Sequence, residues 1–529
     1  MSAVSEDAVR EQLGYILSSP EFKNKPMIRG FLHHVVEETL AGRAGEIKGY
    51  TIATRVFGRK KDFDPVTNPI VRIQAARLRR ILGSYYAAPG RHDGLKIEII
   101  KGSYVPSFSK IIPEKSQGQN LLPKGVLPPP PERSFSARSD FPSIAVLPLE
   151  NLTNDPNISH LAKGLAEELM AGLAMCHGLQ LKVSDCAPCH GEEWGSAVRF
   201  LLGGSIRKDK DTIKVTLRLM ETDPLTQIWA EQYKYGLEPE KEIELQEDIA
   251  RKATGKIGGF FGVIARKLAK NRRSAALPDF EMYEGFSSFG HYLTDLSPQT
   301  HAKAMEALER ATIDNPAYAL FLSLRAFLRT NEYAFLRPEN AELMDKAMAL
   351  ARQAVCAEPE DHMARAILSY VLFVSGHREL FLQETEQALL LNPTLPDAVA
   401  LLGWSIALQG EWDRGLALLR EGMDVDPYRP AWLHLAPYLN YFRQGKFKEA
   451  YHEAHKFDPP HLYWAPLVKI AALGQLGKPN EAGNAIETLL TIRPDFPENG
   501  RRITTFFLKD SNLARTFFEG LRKAGLETT

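Results

Sequence analysis

Five prolines, Pro359, Pro393, Pro427, Pro460 and Pro494, recur at spacings of 34, 34, 33 and 34 residues, and Gly376, Gly410, Gly445 and Gly477 run between them. Proline cannot continue a helix, and glycine takes the left-handed backbone that ends one. The period therefore predicts a helix, a tight turn, a second helix and a stop, repeated. One such unit cannot cover its own apolar face, so the units must stack. Residues 279–529 are accordingly expected to form an all-α solenoid. Small residues stand where paired helices must approach: Gly415, Ala450 and Ala482 lie five after the turn glycines, and Ala388 and Gly422 lie five before the closing prolines. An earlier unit closes at Pro316, and the longer gap from there to Pro359 predicts an insertion around residues 330–340. Trp404, Trp412, Trp432 and Trp464 read as packing residues.

The period, together with the Leu402-Gly403 step, resembles the tetratricopeptide repeat. That resemblance implies a stack of about six helix pairs over residues 280–500, with a concave groove for a peptide or protein partner. The competing occupant of the groove is the chain's own terminal stretch, Ser511 to Leu526.

At 529 residues the chain is too long for one core, since domains average roughly 150 residues. The clearest break is 113–142, where Pro128 to Pro131 favour an extended, semi-rigid spacer. A second break falls near 267–280, at Pro278.

Overall charge is zero, but residues 1–112 hold 18 Lys and Arg against 11 Asp and Glu. A basic head on an otherwise acidic chain points to an anionic partner. Helices are predicted from Asp7 to Leu17, from Pro26 to Leu40 with a stop at Gly42, and from Lys48 to Phe57. A fourth follows Asn68-Pro69, placing Val71, Ala75, Leu78, Leu82 and Tyr85 on one face and Arg72, Ala76, Arg79 and Arg80 on the other, with Arg77 at the margin. LKIEII, a Lys101-Gly102 turn and SYV read as a two-stranded hairpin. Three helices, an arginine-faced helix and a hairpin make a winged helix-turn-helix, expected over 1–112, that binds double-stranded DNA. Arg72, Arg79 and Arg80 would enter the major groove with Arg77 at its margin also contacting DNA, while Lys101, Arg59, Lys60 and Lys61 would touch phosphates.

The runs IATRVFGR, ARLRRIL and KGSYVPSF resemble, in order, parts of the output domain of OmpR-type response regulators and of CadC. The chain departs from that pattern at Phe57, where the family has Trp, and has no phosphoreceiver segment upstream of the head.

Residues 143–267 alternate between types: the strand SIAVLP, a helix from Asn157 to Cys176, strand runs Arg199–Arg207, Thr212–Glu221 and Gln227–Tyr233, and a long closing helix from about Glu238 to Lys267. This mixture predicts an α/β domain. SIAVLPLENLTND, LAKGLAEEL, LLGGSIRK and IWAEQY resemble the TolB N-terminal-like domain, which implies a ligand- or protein-interaction role. Cys186, Cys189 and His190 match the Cys-x-x-Cys-His haem pattern, but without an export signal they read as coincidence. No metal ligand and no cofactor is expected. The four cysteines suit a reducing compartment.

Phosphate-loop, His-Glu-x-x-His, Gly-x-Ser-x-Gly and kinase motifs are all missing, so no catalytic residue is assigned and the chain is expected not to be an enzyme. No apolar run approaches the ~18 residues a spanning helix needs, and the acidic N-terminus does not resemble a secretory signal, so a cytoplasmic protein without membrane contact is expected. The function expected from sequence is a transcriptional regulator with a signal-receiving repeat domain. The alternative is an interaction scaffold whose basic head grips an acidic protein.

Overall fold

A computed structural model describes residues 6–19, 22, 26–56, 75, 78, 81–82, 85–86, 95–99 and 104–110 near the N-terminus. From 141 onward it describes all but 154, 184–197, 211, 237–241, 272–280, 314–315, 393–394, 426–429, 460 and 529. Two compact units divide at Val126.

The first unit contains α1 (Glu6–Ser18), α2 (Pro26–Leu40), α3 (Gly49–Arg55) and the antiparallel pair β1 (Leu95–Ile99) and β2 (Pro106–Lys110). Gly42, at φ 75°, stops the chain after α2. Ala75, Leu78, Leu82 and Tyr85 are all buried beside Val9, Phe31, Val35, Ile52 and Ile97, as the apolar face of the fourth predicted helix requires. The hairpin differs from expectation. Its second strand begins at Pro106 and pairs Phe108 with Ile97, leaving Tyr104 and Val105 to pack against the core ahead of the strand.

In the second unit, β3 (Ser143–Val146) lies parallel to β6 (Phe200–Asp209) and β5 (Gln180–Leu181), and β4 (Glu150–Asn151) extends the parallel pairing with β6. β7 (Thr212–Thr222) and β8 (Leu225–Gly236) continue the sheet antiparallel, joined by a turn at Asp223-Pro224. α4 (Pro156–Ala174) is capped by Asp155, whose side chain accepts from the Asn157 N–H.

The long closing helix is two helices, α5 (Glu242–Ile257) and α6 (Val263–Asn271). The break is Gly258-Gly259-Phe260-Phe261-Gly262, with Gly259 at φ 76°. There the Phe260 N–H donates to the Asp397 carboxylate at 3.1 Å, and the Phe260 ring stacks on Phe286 with centroids 4.5 Å apart. Both partners belong to the helical array, so the break serves to join two regions that the sequence separates. Sheet, α4, α5 and array share one hydrophobic core.

Antiparallel helices follow: α7 (Glu281–Asp295), α8 (Pro298–Ala311), α9 (Ala319–Asn331), α10 (Glu342–Ala357), α11 (His362–Val374), α12 (Arg378–Leu391), α13 (Pro396–Leu408), α14 (Trp412–Val425), α15 (Leu435–Arg443), α16 (Phe447–Ala454), α17 (Trp464–Gln475), α18 (Gly483–Ile492), α19 (Phe496–Thr504) and α20 (Ser511–Lys523). Gly376, Gly410, Gly445 and Gly477 all stand at positive φ in the turns, with the N–H of His377, Glu411, Lys446 and Lys478 closing back onto the preceding helix. The small positions permit close approach. A Cβ on Gly403 would lie 2.5 Å from the Leu419 amide nitrogen, and one on Gly415 would lie 2.3 Å from that of Ala407. Pro393, Pro427 and Pro460 lie outside the described residues. The insertion expected near 330–340 is a π-turn, Glu332–Leu336, on the end of α9.

Candidate functional site

Arg72, Arg77, Arg79, Arg80, Lys101, Arg59, Lys60 and Lys61 lie outside the described residues, as do Cys186, Cys189 and His190. What is described is the frame around the basic positions. Tyr86 Oη accepts from the Ile97 N–H at 2.8 Å, tying the segment after the arginines to β1. On α2 and its turn, Glu38 accepts two hydrogen bonds from Arg43 at 2.9 Å, which hold its carboxyl down at about 2. Arg55 lies 3.9 Å from Glu38 and 3.7 Å from Glu46. Arg43 and Arg55 are thus matched by acids of the same unit.

In the helical array, an aromatic cluster gathers around Phe507. Phe507, 1% exposed, follows α19 and meets Phe335 at 5.3 Å, Trp404 at 5.5 Å, Trp464 at 5.9 Å and Phe373 at 6.3 Å between ring centroids. Those four rings come from the π-turn, α13, α17 and α11, so one side chain is shared by alternate helices of the stack. Lys509 sits 5.3 Å over the Phe373 ring, and burial holds its amine below the ordinary range. Arg493 donates to the carbonyls of Phe335 and Leu336, each at 3.2 Å, and Arg502 to that of Pro338 at 3.2 Å. These arginines bond backbone carbonyls in and just after the π-turn. A residual cavity of ≈ 30 Å³ remains beside Phe335, Trp404, Trp432 and Trp464, room for one or two waters. The terminal helix α20 is the alternative occupant that the sequence offered for the groove. It instead packs on α17, with Gly474 and Gly520 in backbone contact and Phe517 against Phe442 and Trp464.

A polar cluster lies where the sheet region meets the array. His177, in the turn after α4, faces Asp361 and His362 at the start of α11. His177 Nε2 is 3.3 Å from Asp361 Oδ2. Its ring stacks on that of His362 at 5.2 Å and 23°. Asp361 caps α11, its Oδ1 accepting from the Ala364 N–H at 2.7 Å. Burial opposes that negative charge, but the neighbouring His177 and the helix amide outweigh it and hold the carboxyl far below its usual range. Burial, aided by His177, pushes the His362 imidazole down to about 4. Sequence reading assigned no metal ligand, yet a ring nitrogen of each histidine and a carboxylate oxygen lie within 4.8 Å of one another. The only sequence signal is an Asp-His pair at a helix start. Nothing in the chain's order links it to a histidine 184 residues earlier.

No family model matches the chain. A Rhizobium meliloti (strain 1021) protein named "Putative adenylate cyclase 3" is 25% identical over 245 residues, 43% of this chain and 40% of that protein. The chain thus spans about two-fifths of the length of that relative. Among solved structures, a PelC variant dodecamer from Paraburkholderia phytofirmans matches at 20% identity with a TM-score of 0.16, over 21% of this chain and 86% of that one. That score is too low to support a fold assignment. The relative bears the name of an enzyme, which corrects the expectation that the chain is not one. Missing motifs exclude only the chemistries those motifs serve. Among the described residues, no helix is long and apolar enough to cross a membrane.

Proposed function

We propose that the chain is a DNA-binding regulator, with a winged-helix head, a TolB-like sheet region and a tetratricopeptide-like array that responds to a protein partner. The observation that carries the reading is the burial of Ala75, Leu78, Leu82 and Tyr85 against α1, α2 and β1. On a helix of 3.6 residues per turn, such a stripe would put Arg80 on the opposite side and Arg72 and Arg79 on its flanks. Tyr86, held on β1, would fix the helix next to the hairpin, the arrangement in which a recognition helix and a wing act together.

The test is fluorescence anisotropy of the full chain on labelled duplex at several salt concentrations. Binding should weaken linearly in log–log salt, with a slope near 0.9 per neutralised phosphate. The pair Arg79→Ala and Arg80→Ala should weaken preferred over random duplex by about 1 to 3 kcal/mol per lost base contact. Lys101→Ala should weaken all sequences alike. No salt-dependent binding, or an unchanged slope in the folded double variant, would favour a head that grips an acidic protein.

The named relative supports a second reading, in which the chain takes part in nucleotide cyclisation. Incubating the full chain with ATP and Mg²⁺ or Mn²⁺ and measuring cyclic AMP tests it. Absence of product above a heat-treated control counts against it.

A further inference from the structure

We propose that His177, Asp361 and His362 form a binding site for one divalent transition-metal ion of the zinc type, stapling the turn after α4 to the start of α11. The three side chains come from the two regions that the ion would join. Zinc holds nitrogen and oxygen ligands at about 2.0–2.2 Å in a tetrahedron, whose edges are then about 3.3–3.5 Å. The Nε2–Oδ2 separation of 3.3 Å between His177 and Asp361 is such an edge. The remaining ligand pairs lie within 4.8 Å, and completing three corners requires His362 to rotate out of its stack on His177.

The case rests further on His362. The residue is 2% exposed, and its Nε2 has no hydrogen-bond partner among the described residues. An orphaned buried polar atom costs about 1–3 kcal/mol, a cost that an apolar residue at this stacked position would avoid. A metal ion is an acceptor for the lone pair. Asp361 is orientated for the same role, because the Ala364 N–H holds Oδ1 while Oδ2 faces the histidines. Such outer hydrogen bonds set the direction of a metal-ligating carboxylate. The His177 side chain is 19% exposed although its Nε2 is buried, and the fourth corner is left for water. Two imidazoles and one carboxylate favour Zn²⁺ and its neighbours over Mg²⁺ or Ca²⁺, which prefer all-oxygen sites, and over Cu⁺, which prefers sulfur.

The test uses the full chain carrying Cys186→Ser and Cys189→Ser, so that those thiols contribute nothing. After chelator treatment and dialysis, zinc is titrated against a chromophoric chelator, and thermal unfolding is followed with and without zinc. One equivalent should bind and raise the melting midpoint, while Mg²⁺ leaves it unmoved. His362→Ala and Asp361→Asn should each weaken binding at least about tenfold and abolish the zinc-dependent shift. Should His362→Ala lose its circular dichroism signature, His177→Gln, at the more exposed corner, serves in its place with the same expectation. The proposal is overturned if the parent shows no saturable binding at micromolar zinc, or if folded variants bind zinc as the parent does.

Discussion

Replacing Phe507 with Ala tests whether the segment after α19 is the element that closes the array. The side chain is 1% exposed and shared among Phe335, Phe373, Trp404 and Trp464. Truncating a buried Phe costs about 3–5 kcal/mol. Loss of aromatic pairs worth about 0.5–1.5 kcal/mol each belongs to that figure and is not added to it. The cavity is expected to persist, because Phe335 and the tryptophans are themselves held by their own helices. The loss should appear first as local opening of residues 493–509, whose remaining anchors are the buried Phe496, Ile503 and Leu508, the Phe506–Tyr333 pair and the Arg493 and Arg502 hydrogen bonds. The assay is native-state hydrogen exchange, with the amides of α19 and of the residues up to Leu508 as reporters. At 1.36 kcal/mol per decade, their protection should fall roughly 10²- to 10⁴-fold, while that of β6 and β7 changes far less. Phe507→Leu keeps most of the volume and should cost less than about 1.5 kcal/mol. If Phe507→Ala changes protection of α19 by less than about fivefold, under 1 kcal/mol, the segment is not the closing element and the packing argument fails.

The Asp510 carboxylate accepts from the Leu513 N–H at 2.8 Å as the cap of α20, so Asp510→Ala should lower stability by about 1 kcal/mol in chemical denaturation, with Asp510→Asn nearly neutral. Gly403→Ala drives a Cβ to 2.5 Å from the Leu419 amide nitrogen and should cost at least about 1–3 kcal/mol; Gly483→Ala, with nothing within 4 Å, should be neutral or slightly stabilising by the same measurement. In metal-free protein, burial holds His362 at about 4, against about 6.5 in the unfolded chain. The unfolded chain therefore binds more protons between those values, so stability should fall as pH drops through that window, with a slope approaching about 1.4 kcal/mol per pH unit. Asp361 and His177 face the same ring, so the comparison is His362→Gln, whose denaturation midpoint should depend less on pH there; an equal dependence refutes the assignment.

The helix hairpins were legible because their punctuation is local: a turn glycine and a closing proline act on the residues beside them, whatever the rest of the chain does. Even the π-turn announced itself as extra length between Pro316 and Pro359. The Phe507 cluster was not legible, because TTFFLKD reads as one more apolar stretch and nothing local says that Phe507 belongs beside Phe335. The same holds for His177 and Asp361, and for Phe260, whose amide seeks a carboxylate 137 residues away. The glycine-rich stretch Gly258-Gly259-Phe260-Phe261-Gly262, which falls inside the helix predicted over Glu238 to Lys267, is the local signal of the break between α5 and α6. Long-range pairing is set by which surfaces remain uncovered once local elements form, and one sequence does not display those surfaces.

The hydrogen bonds from Arg493 to the Phe335 and Leu336 carbonyls span 158 and 157 residues. An open stack of repeats is a spring: each unit touches its neighbours, frays from either end and stretches by small increments. Clasping the π-turn to the segment after α18 removes that freedom. Fraying at one end must now break contacts at the other, so helices α9 to α19 should yield as one cooperative block. The clasp also carries a kinetic cost, because it can form only after a chain segment of that length has been brought back on itself. Pulled from its ends, such an array should resist and then give way in a single event rather than unwind repeat by repeat.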